Sequence, residues 1–211
     1  MAVPFVEIKF NQNDTKLKDV FDNIYQEILS FEGEIIYKQY QFNNYIGDVT
    51  KGIRWTWATN KKTKELFDIK EIKEQINHLF NNDFKIRGAS FITLYEKEIK
   101  DSDFHLDINT HYDKTHSTNT LTVIFPLYIE KYMGNLEYKD FKNKKISIYN
   151  YKQNHAFAWD SCKLLHRTEP YFLSERKKRV LVSINLSSDE EWAIKTVSNS
   201  LKLQGNLLQF I

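Results

Sequence analysis

The chain has 211 residues, with thirty Lys and Arg against twenty-eight Asp and Glu and a formal net charge of +2. That balance gives no electrostatic case for nucleic acid or an anionic membrane surface as partner, and no run of eighteen apolar residues exists to cross a bilayer. A single cysteine, Cys162, excludes an internal disulfide, and MAVPFVEIKF lacks the pattern of a secretory signal, so a cytoplasmic enzyme is expected.

In chain order, Val3–Phe10 alternates weakly and reads as an edge strand. Asp14–Phe31 places Leu17, Val20, Phe21, Ile24 and Ile28 at helical spacing, with Asn13 or Asp14 as its cap. Glu34–Phe42 reads as a strand. Trp55 and Trp57, two apart in a further candidate strand, share a face; they fit either a substrate opening or core packing. Lys64–Phe80 puts Leu66, Ile69, Ile72, Ile76 and Leu79 on one helical face and is ended by Asn81-Asn82. From Lys85 onward strands follow one another with no helical stretch before Ser188. Leu121–Leu127 is apolar and β-branched, Gly134-Asn135 is a turn, His155–Asp160 is apolar, and Arg179–Leu186 alternates. Helices first and then a run of strands predict an α+β, mainly β fold. The double-stranded β-helix (jelly roll) backed by N-terminal helices is the natural candidate. A single domain is expected, with residues 1–84 as support, 85–187 as the jelly-roll core and 188–211 as a C-terminal extension.

Two stretches carry chemistry. Thr110–Thr115 offers His111 and Asp113, and Leu164–Arg179 offers His166 and, at the head of an apolar run, Arg179. Residues i and i+2 of an extended segment point the same way, so His111 and Asp113 can reach one metal from one side. His166 must then arrive from another strand. Two imidazoles and a carboxylate on one face of a metal suit Fe(II) and leave the other face open. With six His and thirteen Asp in the chain, chance alone supplies an HxD about 0.4 times, so the bare motif is weak. There are two, His105/Asp107 and His111/Asp113. Seven residues separate Asp113 from the following strand, whereas thirteen separate Asp107 from it.

These residues resemble the 2-oxoglutarate/Fe(II)-dependent dioxygenase superfamily, and within it the small prolyl-hydroxylase-like group. The likeness covers roughly Phe91–Leu186: HxD, a short loop, an apolar strand, a Gly turn (Gly134-Asn135 in place of Gly-Gly), a distal His, and a basic residue opening the last core strand. The short loop of that pattern favours His111 and Asp113, with His166, as the metal ligands. His105 is then read as part of the approach to the site, so that His105→Ala is expected to keep iron binding and His111→Ala to lose it. The resemblance implies Fe(II), 2-oxoglutarate as co-substrate and O2, with ascorbate as a further candidate. It implies Arg179 as the partner of the co-substrate's distal carboxylate, aided by the hydroxyls of Tyr95 and Ser183. Arg176 lies three residues away from Arg179, which strand alternation turns to the opposite face. The implied reaction is hydroxylation of a C–H bond in a prolyl or other amino-acid substrate, peptide or small molecule.

The remaining candidates have plainer readings. His116 is a loop residue near the entrance, His78 a polar helix residue, His155 a structural residue at a strand start, and Cys162 a small packed side chain. A metal-binding jelly roll of cupin type remains an alternative, drawing on His111 and His116, although such a protein has no need of Arg179. A nucleic-acid demethylase would want another arginine about six residues beyond Arg179, where the chain has Asn185.

Overall fold

The computed structural model describes residues 5–46, 53–94, 98–99, 103–108, 118–130, 133–139, 145–172 and 178–203. Strand β1 (Phe5–Lys9) is an edge strand, as its weak alternation suggested. Helix α1 (Leu17–Ser30) buries Leu17, Val20, Phe21, Ile24 and Ile28, the residues its periodicity picks out. Its start differs from expectation: Gln12–Asp14 form a 3-10 turn capped by Asn11, and α1 begins after Lys16 without a side-chain cap. The single strand expected over Glu34–Phe42 is a hairpin, β2 (Gly33–Tyr37) and β3 (Tyr40–Ile46). Lys38 turns it with φ +55°, a left-handed conformation that no Gly or Asn announced.

Beyond β4 (Ile53–Ala58), the helix expected over Lys64–Phe80 is two, α2 (Lys61–Glu65) and α3 (Lys70–Phe80). Tight bonds such as Phe67 N–H to the Lys64 carbonyl end α2. They swing Phe67 inward, fully buried, to a ring distance of 5.1 Å from Phe91. Burying such a ring is worth roughly 1.5–3 kcal/mol. Leu79, assigned to the apolar face, is 55% exposed. Asn81 ends α3 in the left-handed conformation, φ +50°.

The strands after α3 are β5 (Lys85–Leu94), β6 (Glu98–Ile99), β7 (Thr120–Tyr128), β8 (Leu136–Lys139), β9 (Ile146–Tyr149), β10 (His155–Asp160), β11 (Leu165–Thr168), β12 (Tyr171–Phe172) and β13 (Arg179–Ser187), followed by helix α4 (Glu191–Leu203). They form an eight-stranded antiparallel sheet, ordered β1-β10-β7-β13-β5-β4-β3-β2, a three-stranded sheet β11-β8-β9, and the pair β12-β6. The strands assigned to the N-terminal support region thus continue the sheet of the core. The larger and smaller sheets together make the double-stranded β-helix. No described helix is long and apolar enough to cross a membrane.

The central strand β13 divides the interior. Val180, Val182, Ile184 and Leu186 face α1 and α3 and join one large apolar cluster with Phe21, Phe42 and Phe91. On the other face Leu181 packs with Leu136, Tyr149, Phe157 and Trp159, between the two sheets. Arg179, Ser183 and Asn185 share that second face by alternation, and it is the face that carries the site. Helix α4 packs there too, with Val197 and Leu201 against Trp57 and Ile108. Trp57 is therefore a core residue, only 2% exposed, and does not frame an opening.

Candidate metal centre

His105 and His166 are directly opposed. Each donates its backbone N–H to the other's carbonyl, both at 3.0 Å, in an isolated antiparallel bridge. Directly opposed residues project side chains to the same side of a sheet, and the two rings stand 4.6 Å apart, centroid to centroid. Asp107, two residues beyond His105, shares that side. One ligand atom from each of His105, Asp107 and His166 lies within 4.8 Å of the others, a spacing a single ion can bridge.

The hydrogen bonds around these atoms leave the right electron pairs free. His105 Nδ1 lies 2.9 Å from the Asp103 carbonyl, and His166 Nδ1 lies 3.1 Å from the Leu164 carbonyl. A carbonyl only accepts, so both rings carry their proton on Nδ1, and the neutral form of each presents a bare Nε2. Asp107 Oδ2 accepts from Thr122 Oγ1 at 2.6 Å and from Trp159 Nε1 at 3.0 Å. Its Oδ1 points to His166 Nε2 at 3.4 Å. Trp159 also packs its ring on His166, 4.9 Å between centroids, so one side chain orients two candidate ligands.

Charge follows the same pattern. Burial alone would push the Asp107 carboxyl up, but His166, Thr122 and His105 outweigh it and hold it at about 2. Burial alone would lower His166, but the Asp107 carboxylate beside it and the Leu164 carbonyl raise it above the ordinary histidine value. A permanent carboxylate next to two imidazoles is a donor set for a divalent cation such as Fe(II).

Arg179 opens β13 on the same face and is 1% exposed. Its Nε and Nη2 donate to the Gly134 carbonyl at 3.2 and 2.8 Å. The rings of Tyr151 and Tyr171 flank the guanidinium at 5.6 and 5.5 Å. Gly134 is required twice over: it has φ +72°, and a Cβ there would meet Tyr171 Cδ1 at 2.6 Å. Among the described residues no carboxylate pairs with Arg179; burial lowers its pKa, and Tyr151 and Tyr171 act against that. Tyr151 is the neighbour that sequence reasoning missed. Burial, opposed by the Arg179 guanidinium and aided by the Asp107 carboxylate, leaves its hydroxyl raised to about 12, and its ring stands against Arg179. Only an unremarkable Asn-Tyr-Lys loop marks it in the sequence.

Of the residues singled out in the sequence, His166, Arg179 and Ser183 lie on the site face, and Ser183 is 8% exposed between Ser90 and Ile124. Among the described residues it is His105 and Asp107, the second-choice pair, that meet His166. The favoured His111 and Asp113 lie outside the described residues, as do Tyr95, Arg176 and His116. Loop length alone does not decide between the pairs, since doubling a flexible loop costs only about 0.6 kcal/mol. Of the other histidines, His78 is exposed on α3, and His155 is held by the Gln153 carbonyl at 2.9 Å.

No protein-family model matches the chain, and no curated protein matches it in sequence. Its fold is similar to that of the non-heme α-ketoglutarate-dependent carbocyclase SnoK from nogalamycin biosynthesis, with a TM-score of 0.60 and 12% identity over 88% of this chain and 79% of that one. A Pseudomonas putida prolyl-4-hydroxylase gives a TM-score of 0.57 and 12% identity over 89% of this chain and 94% of that one. A Trichoplax adhaerens prolyl hydroxylase, in complex with a hypoxia inducible factor peptide fragment, gives 0.52 and 13% over 93% and 87%. The chain thus has the double-stranded β-helix fold of the 2-oxoglutarate/Fe(II) oxygenases.

Proposed function

We propose that the protein is a 2-oxoglutarate/Fe(II)-dependent dioxygenase that hydroxylates a C–H bond of a prolyl or other amino-acid substrate, within a peptide or as a small molecule. The observation that carries this reading is a pairing. The Nε2 atoms of His105 and His166 converge with a carboxylate at one end of the site, and at the other lies a buried guanidinium with no carboxylate partner among the described residues. A buried unpaired cation is costly. A dicarboxylate reaching from the metal to Arg179 would neutralise it. A cupin-type metal protein would bear that cost for nothing.

His105, Asp107 and His166 would hold the metal, facing one side and leaving the other open. Arg179 would pair with the distal carboxylate of 2-oxoglutarate, with Tyr151 and Ser183 as hydroxyl donors along the way. When bound, Fe(II) with 2-oxoglutarate and O2 supplies the oxidising power for hydroxylation, and the co-substrate leaves as succinate and CO2. The protein's own part is to set the ligand tautomers, keep Asp107 ionised, exclude water around Arg179 and orient the target C–H.

The test is succinate release with Fe(II), with and without ascorbate, against a panel of prolyl peptides and free amino acids. His105→Ala should lose iron stoichiometry and turnover, while His111→Ala should keep iron. The reverse pattern would return the metal to His111 and Asp113.

A further inference from the structure

The segment that carries His105 and Asp107 is tied down from a side that no motif marks. Ser200, near the end of α4, donates its hydroxyl to the backbone carbonyl of Asp107 at 2.6 Å. One turn before and one residue after it, Val197 and Leu201 pack on Ile108, the residue following Asp107. The helix can lie this low because position 88 is glycine: a Cβ there would meet Leu201 Cδ1 at 2.8 Å and Cδ2 at 3.0 Å. From the opposite side, Ile108 N–H donates to the Ser161 carbonyl at 3.2 Å. Residues 105–108 are therefore fixed by the His166 bridge, by Ser161 and by α4.

We propose that α4 is a clamp on the metal-binding segment and that Ser200 is a positioning residue for Asp107. The inference rests on the metal reading given above. Thr122 and Trp159 fix one carboxylate oxygen of Asp107, but they do not fix its backbone. Metal–ligand distances tolerate only about 0.2 Å. A peptide unit free to drift would move Oδ1 out of range while leaving the fold intact. The Ser200 bond to the carbonyl and the apolar seat under Ile108 hold that peptide unit. Partners one step removed from a metal commonly change its affinity by about 10–100-fold, and Ser200 stands in that relation through Asp107.

The experiment is a Co(II) titration of the apo 211-residue chain, followed by electronic absorption, with a thermal melt on the same samples. Ser200→Ala should weaken Co(II) binding about tenfold, and Ser200→Thr, which keeps the hydroxyl, should restore it. Gly88→Ala, which pushes Leu201 off the sheet, should weaken it as well. Ser198→Ala is the control, because that hydroxyl bonds the Ile194 carbonyl within the helix at 2.7 Å. It should leave Co(II) binding unchanged. If Ser200→Ala bound Co(II) as tightly as the parent, whatever its melting temperature, the clamp would be overturned. An equal loss in Ser198→Ala would overturn it too. A parent chain that bound Co(II) no better than His166→Ala would instead remove the metal centre itself, and the clamp with it.

Discussion

The two ends of the site each bury a charge, and they treat it in opposite ways. Asp107 is matched in place: Thr122, Trp159 and His166 surround it, and its carboxyl is held at about 2. Arg179 is left with a backbone carbonyl and two aromatic rings, and with no carboxylate among the described residues. A matched charge stabilises the apo fold and aims a ligand. An unmatched one weakens the apo fold and selects an anion. On the proposed reading, the Asp107 end is built in advance and the Arg179 end is completed by the co-substrate.

The largest expected effect comes from removing the matched end. His166→Ala should abolish stoichiometric metal binding, read as Co(II) or Fe(II) content per chain. It also strips Asp107 of a buried partner, which typically costs about 3–5 kcal/mol of stability. Unchanged metal content would sink the assignment.

Arg179 breaks the comparison from the other side. Arg179→Met should weaken 2-oxoglutarate by two to three orders of magnitude, from about 3–5 kcal/mol at roughly 1.4 kcal/mol per tenfold. Metal affinity should hardly change. The apo variant should melt at a higher temperature than the parent, because a buried uncompensated charge has gone. A lower melting temperature would mean that Gly134, Tyr151 and Tyr171 already compensate the guanidinium.

A smaller effect sharpens the view of Asp107. Trp159→Phe keeps an aromatic ring against His166 but removes the N–H to Oδ2. Metal affinity should fall about tenfold. If calorimetry gave equal affinities, Thr122 alone would suffice to orient the carboxylate.

The last expectation concerns pH. His166 has a raised pKa in the folded apo protein, so the stability it contributes is fully present below the ordinary histidine value and is lost as pH rises through the higher folded value. Asp107 works in the other direction, and its contribution fades only as pH falls from the ordinary carboxylate range towards 2. The apo chain should therefore melt at a lower temperature in mildly alkaline than in mildly acidic buffer. Metal affinity should rise over the same interval, because binding displaces the His166 proton. Parallel trends would mean that the His166–Asp107 pair does not govern either quantity.

What the sequence determined by itself is what depends on local periodicity. The apolar face of α1, the alternation of β13 and the consequent placement of Arg179 and Ser183 opposite Val180 and Val182 follow from side-chain direction along one element. His166 can be singled out in the sequence because an apolar strand ends just before its segment. The hairpin at Lys38 and the break between α2 and α3 were not legible, since a left-handed lysine and the burial of Phe67 obey distant packing rather than local preference. Which HxD pair lies beside His166 is of the same kind: among the described residues it is His105 and Asp107, while His111 and Asp113 lie outside them. His105 and Asp107 sit beside His166 because a two-residue bridge, Trp159 from β10, Thr122 from β7 and Ser200 from α4 converge on them. Those partners come from parts of the chain up to 93 residues away, and only the folded sheet brings them together.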